Sequence, residues 1–192
     1  MDILIYKDLQ KMINFIILLR GINVGGHKKV PMAELRDLLA KTGFEAVKTY
    51  IQSGNVILQS KEVKNEIESK VKAAIQSHFG FDVPVLARTR VELKQIFDAC
   101  PFSEEKKENS YFVLLSEIPN AELIDEVMKI TYENEEFHII DDCIYFYSSV
   151  GYGNSKFNMN LFEKKLRVKA TSRNFKTMVK LIAMSSENEK DH

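Results

Sequence analysis

FIILLRGINVGGHKKVPMAELRDLL, residues 15–39, contains a strand, a polar loop and a helix in succession. The continuous apolar run Phe15–Leu19 is typical of a central strand that is buried on both faces. After the loop, Pro31 stands in the first turn of a predicted helix and Gly43 stands behind its end. Apolar residues at helical spacing support this helix, namely Met32, Leu35, Leu38 and Leu39. The stretch therefore predicts a buried strand that leads through a glycine-rich loop into a helix.

The rest of the first half continues with a hairpin, a helix and a strand. Short β-prone runs at 47–52 and 55–59 flank the turn residues Ser53-Gly54. A second amphipathic helix is indicated by apolar residues at every fourth position, Val63, Ile67, Val71, Ile75 and Phe79. The strand predicted over Val83–Arg88 contains Pro84, which restricts it to a sheet edge or to the first residues of a strand. The order βαββαβ is that of a ferredoxin-like unit, with the first strand at the centre and the last at an edge.

The second half repeats this plan less completely. Thr89-Arg90-Val91-Glu92 is a capping box that opens a connecting helix, and Pro101–Ser110 is the most loop-like segment of the chain. The pattern then predicts a strand, a helix and a hairpin, at 111–115, about 120–130, and 136–140 with 143–148. A further helix is predicted from Asn160, capped by that residue with Glu163, and another that carries Phe175 and Ile182 on one face. No final strand is evident.

We therefore expect an α+β fold, a tandem of two ferredoxin-like subdomains with the second less complete, plus C-terminal helices. The first subdomain is expected at residues 12–89 and the second at 110–184, with a connecting helix and loop at 90–109. Residues 185–192 are expected to form a flexible tail.

The composition is that of an ordinary globular protein. The chain has 192 residues, of which 45% are hydrophobic and 28% charged, which excludes fibrous, disordered and low-complexity classes. Its longest apolar runs, around 12–19 and 143–150, are shorter than the ~20 residues that a membrane helix needs. Residues 1–11 do not have the features of a signal peptide, and two cysteines argue against a disulfide scaffold. We expect a cytoplasmic protein.

Charge is segregated along the chain although the formal net charge is zero. Residues 20–30 contain three Lys or Arg and no acidic residue, and residues 160–180 contain seven Lys or Arg and one acidic residue. Residues 117–142 contain nine acidic residues and one lysine. Solvated helix faces of different sign would explain this pattern, and so would two basic surfaces that bind anions.

The loop after the first strand is the first candidate site. Glycines allow backbone N–H groups to converge, the following helix N-terminus favours negative charge, and cations can complete an anion site. The spacing fits neither a Walker loop nor a GxGxxG loop, and the alternative is a glycine-rich turn with solvated lysines. The candidate ligand residues are Arg20, Gly21, Asn23, Gly25, Gly26 and Lys28.

The predicted hairpin turn is the second candidate. The residues Ser53, Gly54 and Asn55 are typical of an ordinary turn. The βαββαβ topology nevertheless brings this turn to the same end of the sheet as the first loop. A ligand at that end would meet hydroxyl and amide groups as well as cations.

Two segments near the C-terminus form the third candidate. GYGNSK at 151–156 contributes Ser155 and Lys156, and KATSRN at 169–174 contributes Thr171, Arg173 and Asn174. Each segment precedes a predicted helix, where Thr171 or the following serine would serve most simply as an N-cap. Catalysis by Ser155 with Lys156 is disfavoured, because adjacent side chains rarely face each other.

Other kinds of site have little support in the sequence. The four histidines and two cysteines do not have metal-ligand spacing, so we predict no metal site and no cofactor. Tyr111, Tyr145 and Tyr147 could present a base-stacking face like that of RNA-recognition modules, but their surroundings do not match those modules. Packing against another layer is the favoured interpretation of these tyrosines.

Four strings together resemble a known bacterial family, domain of unknown function 1697. They are LLRGINVGGHKKVPMAELRDLL, TYIQSGNVIL, GYGNSKFN and ATSRNFKT, and the resemblance runs from about Met12 to Met184. It implies a cytoplasmic bacterial protein with two α+β subdomains and brings no established activity. It also implies that Met12 is the usual start, with residues 1–11 as an atypical, disordered N-terminal extension. Phe175 stands where family members often have tryptophan, so an aromatic residue is retained.

Three functions follow as hypotheses. The first is a cleft of glycine-rich loops and cations that binds a phosphorylated or anionic ligand, a nucleotide or nucleic acid. The second is an enzyme that acts on a phosphorylated metabolite, with His27 as a candidate base. The third is a non-catalytic interaction module, in which the basic segment of one copy meets the acidic segment of another. The sequence does not decide whether the protein is an enzyme or what its oligomeric state is.

Overall fold

The computed structural model describes residues 11–187, which form seven α-helices and eight β-strands. The predicted extension at residues 1–11 therefore lies outside the described residues, apart from Lys11. Of the predicted tail, residues 185–187 belong to the last helix, and residues 188–192 lie outside the described part. Among the described helices, none combines the length and apolar character that a membrane crossing requires.

The first sheet is built from one βαββαβ segment. Its elements are β1 (Ile13–Leu19), α1 (Met32–Lys41), β2 (Glu45–Tyr50), β3 (Asn55–Ser60), α2 (Lys64–Phe79) and β4 (Val85–Thr89). The strands are antiparallel in the order β2-β3-β1-β4. β1 is therefore internal and β4 lies at an edge, as expected, and β4 begins directly after Pro84.

Both faces of β1 are buried, as its unbroken apolar run predicts. Phe15, Ile17 and Leu19 belong to a cluster that also contains buried residues of α1 and α2, including Leu35, Leu39, Ile67, Val71 and Ile75. On the opposite face, Ile16 and Leu18 are also fully buried. Because burial of each such side chain contributes about 1.5–3 kcal/mol, β1 is a main source of stability for this sheet.

Two helices follow the first sheet. α3 (Arg90–Asp98) begins with the predicted capping box, in which the Glu92 carboxylate accepts hydrogen bonds from the backbone N–H (2.8 Å) and hydroxyl (3.0 Å) of Thr89. The segment expected to be a loop contains the short helix α4 (Glu104–Glu108). The difference arises because EEKKE is a good helix-forming sequence without a hydrophobic stripe.

The second sheet has the same element order as the first. Its elements are β5 (Tyr111–Leu115), α5 (Ala121–Val127), β6 (Glu135–Ile140), β7 (Cys143–Ser148), α6 (Met159–Leu166) and β8 (Ala170–Asn174), and α7 (Phe175–Glu187) follows. The strands are antiparallel in the order β6-β7-β5-β8. The fold class is thus α+β, as predicted.

The expectation that the second half lacks a final strand is wrong. β8 pairs with β5 from Asn174, opposite Tyr111, to Ala170, opposite Leu115. Thr171 therefore lies within a strand and does not cap a helix. Asn174 caps α7 instead, since its Oδ1 accepts a hydrogen bond from the Thr177 N–H (2.9 Å).

The start of α6 also differs from the prediction. The side chain of Asn158 accepts hydrogen bonds from the backbone N–H groups of Asn160 (3.0 Å) and Leu161 (3.3 Å). Asn158 is therefore the N-cap, and Asn160 lies within the first turn. Two asparagines two positions apart offer the same capping chemistry, so the sequence pattern alone does not distinguish them.

The described residues form two compact units. Unit 1 contains residues 11–93 and 181–187, and unit 2 contains residues 94–180. Leu181 is fully buried, and the backbone carbonyl of Ser185 accepts a hydrogen bond from Asn14 Nδ2 (2.9 Å) within unit 1. Unit 1 is thus completed by the C-terminal part of α7.

Candidate functional site

The predicted ligand residues fall in both units. Unit 1 holds Arg20, Gly21, Asn23, Gly25, Gly26, Lys28, Ser53, Gly54 and Asn55, whereas unit 2 holds Ser155, Lys156, Thr171, Arg173 and Asn174. Each group is described within its own unit.

Three loops meet at one end of the first sheet. The Leu19 N–H donates to the Gly54 carbonyl (2.8 Å), and the Arg20 N–H donates to the Pro84 carbonyl (3.1 Å). Lys28 Nζ donates to the carbonyl of Asp82 (2.6 Å). The loop after β1, the turn between β2 and β3 and the segment before β4 therefore lie together, as the topology predicts for the first two.

Residues 23–30, here named the glycine hairpin, are fixed by one side chain. Asn23 Nδ2 donates to the carbonyls of Val30 (3.0 Å) and Gln52 (2.9 Å), and Asn23 Oδ1 accepts from the Val30 N–H (2.8 Å). Asn23 has φ 55°, a left-handed conformation that asparagine tolerates better than most residues. Asn23 is thus part of the framework, and its hydrogen-bonding groups are already engaged.

Gly54 and Asn55 also have structural roles. A Cβ on Gly54 would lie 2.8 Å from Leu19 Cβ and 2.9 Å from Leu19 O, so only glycine fits there. Asn55 is fully buried and donates to the Tyr50 carbonyl (3.2 Å) and to Ser53 Oγ (2.9 Å). The turn therefore fixes the loop arrangement rather than offering these two residues to a ligand.

The tip of the glycine hairpin presents donors and positive charge to solvent. The His27 N–H donates to the Val24 carbonyl (3.0 Å), which closes a two-residue turn over Gly25 and Gly26. The backbone N–H groups of these glycines have no acceptor among residues 11–187. The side chains at 27–29, a histidine and two lysines, are exposed.

In unit 2, Thr171 and Arg173 are buried on β8. Arg173 is 7% exposed, and its Nη1 donates to Thr171 Oγ1 (2.8 Å) and to the Ser172 carbonyl (2.7 Å). Burial lowers the pKa of Arg173 to about 10. Because this pKa is still well above 7, the guanidinium remains charged at neutral pH. Neither residue offers an exposed group to a ligand.

Ser155 and Lys156 follow a short 3₁₀ turn at Tyr152–Asn154. The Ser155 hydroxyl donates to the Tyr152 carbonyl (2.8 Å), and the Lys156 N–H donates to the Glu135 carboxylate. The serine hydroxyl is therefore bound to backbone and not to the neighbouring ammonium, so the pair has no nucleophile-and-base geometry.

Asn174 lies at a cavity of about 350 Å³ at one end of the second sheet, here named the tyrosine cavity. The start of β5 meets the ends of β7 and β8 there, because these strands are antiparallel. Its lining consists of polar and aromatic residues, namely Glu108, Asn109, Ser110, Tyr111, Tyr147, Ser148, Ser149, Gly151, Tyr152, Asn174 and Lys176. Of the predicted ligand residues, Asn174 alone belongs to this set.

The tyrosines of the second sheet have two environments, because one is packed in the interior and the others line the tyrosine cavity. Tyr145 is buried, its hydroxyl donates to the Ile96 carbonyl (2.7 Å), and burial raises its pKa well above the usual range. Packing is thus confirmed for Tyr145. Tyr111 and Tyr147 line the tyrosine cavity, and Tyr152 joins them from the 3₁₀ turn. In the sequence, Tyr111 and Tyr147 were indicated by their places at the ends of predicted strands, whereas Tyr152 lies outside the strands.

Other chemistry is limited in the described part of the chain. No group of three His, Cys, Asp or Glu side chains within residues 11–187 is arranged to hold a metal ion. Glu136 is bound by Lys106 and His138, and these hydrogen bonds lower the pKa of its carboxyl. This cluster is an ion-pair group at the surface.

The fold defines a class of α+β proteins in which two four-stranded antiparallel sheets follow each other along the chain. The sequence matches the family described as a protein of unknown function, DUF1697, over residues 12–145, and the chain belongs to that family. The resemblance noted in the sequence is thereby confirmed.

Two solved structures are similar to this chain. The conserved bacterial protein SP0830 from Streptococcus pneumoniae is 25% identical with a TM-score of 0.70, over 91% of this chain and 99% of its own. An unknown protein from Galdieria sulphuraria is 10% identical with a TM-score of 0.26, over 93% and 94% of the two chains. No curated protein matches the sequence.

Proposed function

We propose that the protein binds a phosphorylated or otherwise anionic ligand, a nucleotide or nucleic acid, at the glycine hairpin. The observation that carries this proposal is that different residues of the hairpin have different roles, some structural and some exposed to solvent. Asn23 directs its polar atoms inward and fixes the loop, while the lysines and the glycine N–H groups of the tip face solvent. Backbone donors on a loop whose base is already fixed by hydrogen bonds bind phosphate at a smaller ordering cost than donors on an unattached loop.

Charge around the hairpin supports an anionic ligand. Residues 20–30 contain no acidic side chain, and Lys29 has no ion-pair partner within residues 11–187. Lys28 Nζ donates to a neutral group, the backbone carbonyl of Asp82 (2.6 Å). A phosphate here would gain charge-assisted hydrogen bonds, which are stronger than neutral ones.

We further infer a bacterial, cytoplasmic protein whose two units are each ferredoxin-like. The βαββαβ element order and the matching strand orders of the two sheets support this inference. Likeness to a conserved bacterial protein supports the source.

The test is titration of the full chain with ATP and with a labelled single-stranded oligonucleotide at about 50 and 200 mM salt. We expect weaker binding at the higher salt. The double variant Lys28→Ala/Lys29→Ala should weaken oligonucleotide binding about tenfold or more and flatten the salt dependence, since two phosphate contacts are lost.

Lys41→Ala is the matched control, because this exposed lysine lies at the far end of α1 from the glycine hairpin. The control variant should bind like the wild type. Absence of binding to both probes, or equal binding by the double variant and the wild type, would contradict the proposed function.

A further inference from the structure

We propose that the tyrosine cavity of unit 2 binds a small aromatic anion, a planar ring that carries one phosphate or carboxylate group. This site is independent of the glycine hairpin, which belongs to unit 1. The proposal rests on a helix N-terminus with a cation, an unpartnered buried hydroxyl and a group of tyrosine rings, all at one cavity.

The N-terminus of α7 supplies the anion-binding part. The N–H of Phe175 donates to the Ser110 carbonyl (3.3 Å), and that of Thr177 donates to Asn174 Oδ1 (2.9 Å). Lys176 lies in the first turn of α7, where backbone N–H groups lack intrahelical acceptors, and its exposed ammonium has no ion-pair partner among residues 11–187. The N-terminus of a 13-residue helix and a lysine in its first turn together favour a negative group.

Ser148 provides a second, independent observation. The residue is 7% exposed and lines the cavity, yet its hydroxyl has no hydrogen-bond partner among residues 11–187. The neighbouring cavity serines differ, because Ser149 Oγ donates to Asn134 O (3.3 Å) and Ser110 Oγ donates to Lys107 O (2.8 Å). A buried polar group without a partner is unfavourable, so a ligand that bonds to Ser148 would remove that penalty.

The tyrosines define the aromatic part of the ligand. The rings of Tyr111 and Tyr152 lie with centroids 4.3 Å apart, and Tyr147 lines the same cavity. Tyrosine rings stack on flat π-systems while their hydroxyls remain at the rim. The volume of about 350 Å³ lies within the range of small-molecule sites, about 300–1,000 Å³.

The charges of the lining restrict the ligand further. Glu108 lines the cavity together with Lys176, so these two formal charges cancel. A polyphosphate chain would be repelled by the carboxylate, whereas one compact anionic group can be held at the helix end. The chemistry therefore favours a monophosphate or carboxylate.

The experiment is calorimetric titration of the full chain with AMP, as an aromatic phosphate, and with indole-3-acetate, as an aromatic carboxylate. Adenosine, inorganic phosphate and acetate test the separate parts. We expect one of the two aromatic anions to bind at least about ten times more tightly than its parts, because ring and anion contacts add.

Lys176→Ala should weaken that binding about tenfold or more, whereas Lys180→Ala should not change it. Lys180 is the matched control because it is an exposed lysine one turn further along α7 and does not line the cavity. The proposal is overturned if neither aromatic anion binds, if the separate parts bind equally well, or if Lys176→Ala binds like the wild type.

Ser148→Ala separates a ligand contact from a structural role. We expect about tenfold weaker binding together with an unchanged or higher thermal midpoint, since the lost hydroxyl has no hydrogen-bond partner in the part of the chain that the structure describes. Ser149→Ala should not affect binding, because its hydroxyl already has an acceptor. Unchanged affinity, or a lower midpoint, in Ser148→Ala overturns the assignment of this hydroxyl to the ligand.

Discussion

A single carboxamide, that of Asn23, joins the glycine hairpin to the neighbouring turn. Its three hydrogen bonds reach Val30 and Gln52, so one residue connects both ends of the hairpin and the β2–β3 turn. The sequence pattern marked Asn23 as a ligand residue because polar residues in glycine-rich loops often bind phosphates. The structure assigns it to the framework that joins the two ends of the glycine hairpin to the β2–β3 turn.

Gly54 and Gly26 have the same φ of 78° but very different surroundings. We expect Gly54→Ala to lower the free energy of unfolding by about 3 kcal/mol, because left-handed strain and overpacking against Leu19 both act. Gly26→Ala should cost only about 1 kcal/mol, since a Cβ there would meet no atom of the described residues within 4 Å. Denaturant unfolding of the two variants measures this difference, and equal losses would contradict the steric explanation.

At the scale of elements, the capping box of α3 links its stability to pH. Burial raises the pKa of Glu92, but hydrogen bonds from Lys64 and Thr89 outweigh burial, and the pKa lies below its ordinary value of 4.5. A lowered carboxyl pKa contributes stability above the unfolded-state pKa, and this contribution is lost as pH falls through the folded-state pKa.

We therefore expect Glu92→Gln to be less stable than the wild type by about 1 kcal/mol above about pH 5, after allowance for solvent screening. The difference should shrink as the pH is lowered further, because protonation of Glu92 removes the same interactions in the wild type. Denaturant unfolding at a series of pH values provides the measurement. A difference that stays constant down to about pH 3 would show that the charge of Glu92 is not responsible.

The sequence predicted those elements whose burial depends on apolar residues. β1 was predicted from the unbroken apolar run around Ile17, and α2 was predicted because Ile67 and its neighbours repeat at every fourth position. The hydrophobic pattern did not predict β8, because two buried residues on one face of this strand, Thr171 and Arg173, are polar. They bond to each other (2.8 Å), so burial there does not require an apolar side chain.

At the scale of the whole molecule, sites depend on strand register, which the sequence does not display. The tyrosine cavity draws on three separate stretches, 108–111, 147–152 and 174–176, which become neighbours only because β5 pairs with both β7 and β8. For the first sheet, the sequence also predicted that the first loop and the hairpin turn lie together, because the βαββαβ order fixes which loops share one end of the sheet. The one predicted ligand residue that lines the cavity, Asn174, was chosen for its position before a helix.

The division of α7 between the units gives a test of the architecture. Deletion of residues 181–192 should remove the buried side chain of Leu181 from unit 1. It should also remove two backbone carbonyls that accept hydrogen bonds there, that of Ser185 from Asn14 and that of Ile182 from Arg90. Hydrogen exchange followed by mass spectrometry should then show faster exchange in β1, while β7 of unit 2 keeps its protection. Equal acceleration in both strands would contradict the assignment of these residues to unit 1.

The same division affects the order in which the protein folds during translation. Unit 2 is one continuous segment, so all its residues are available once Lys180 has left the ribosomal exit tunnel. Unit 1 begins earlier in the chain but cannot close until residues 181–187 have also emerged. The half of the protein that is synthesised first is therefore the half that is completed last.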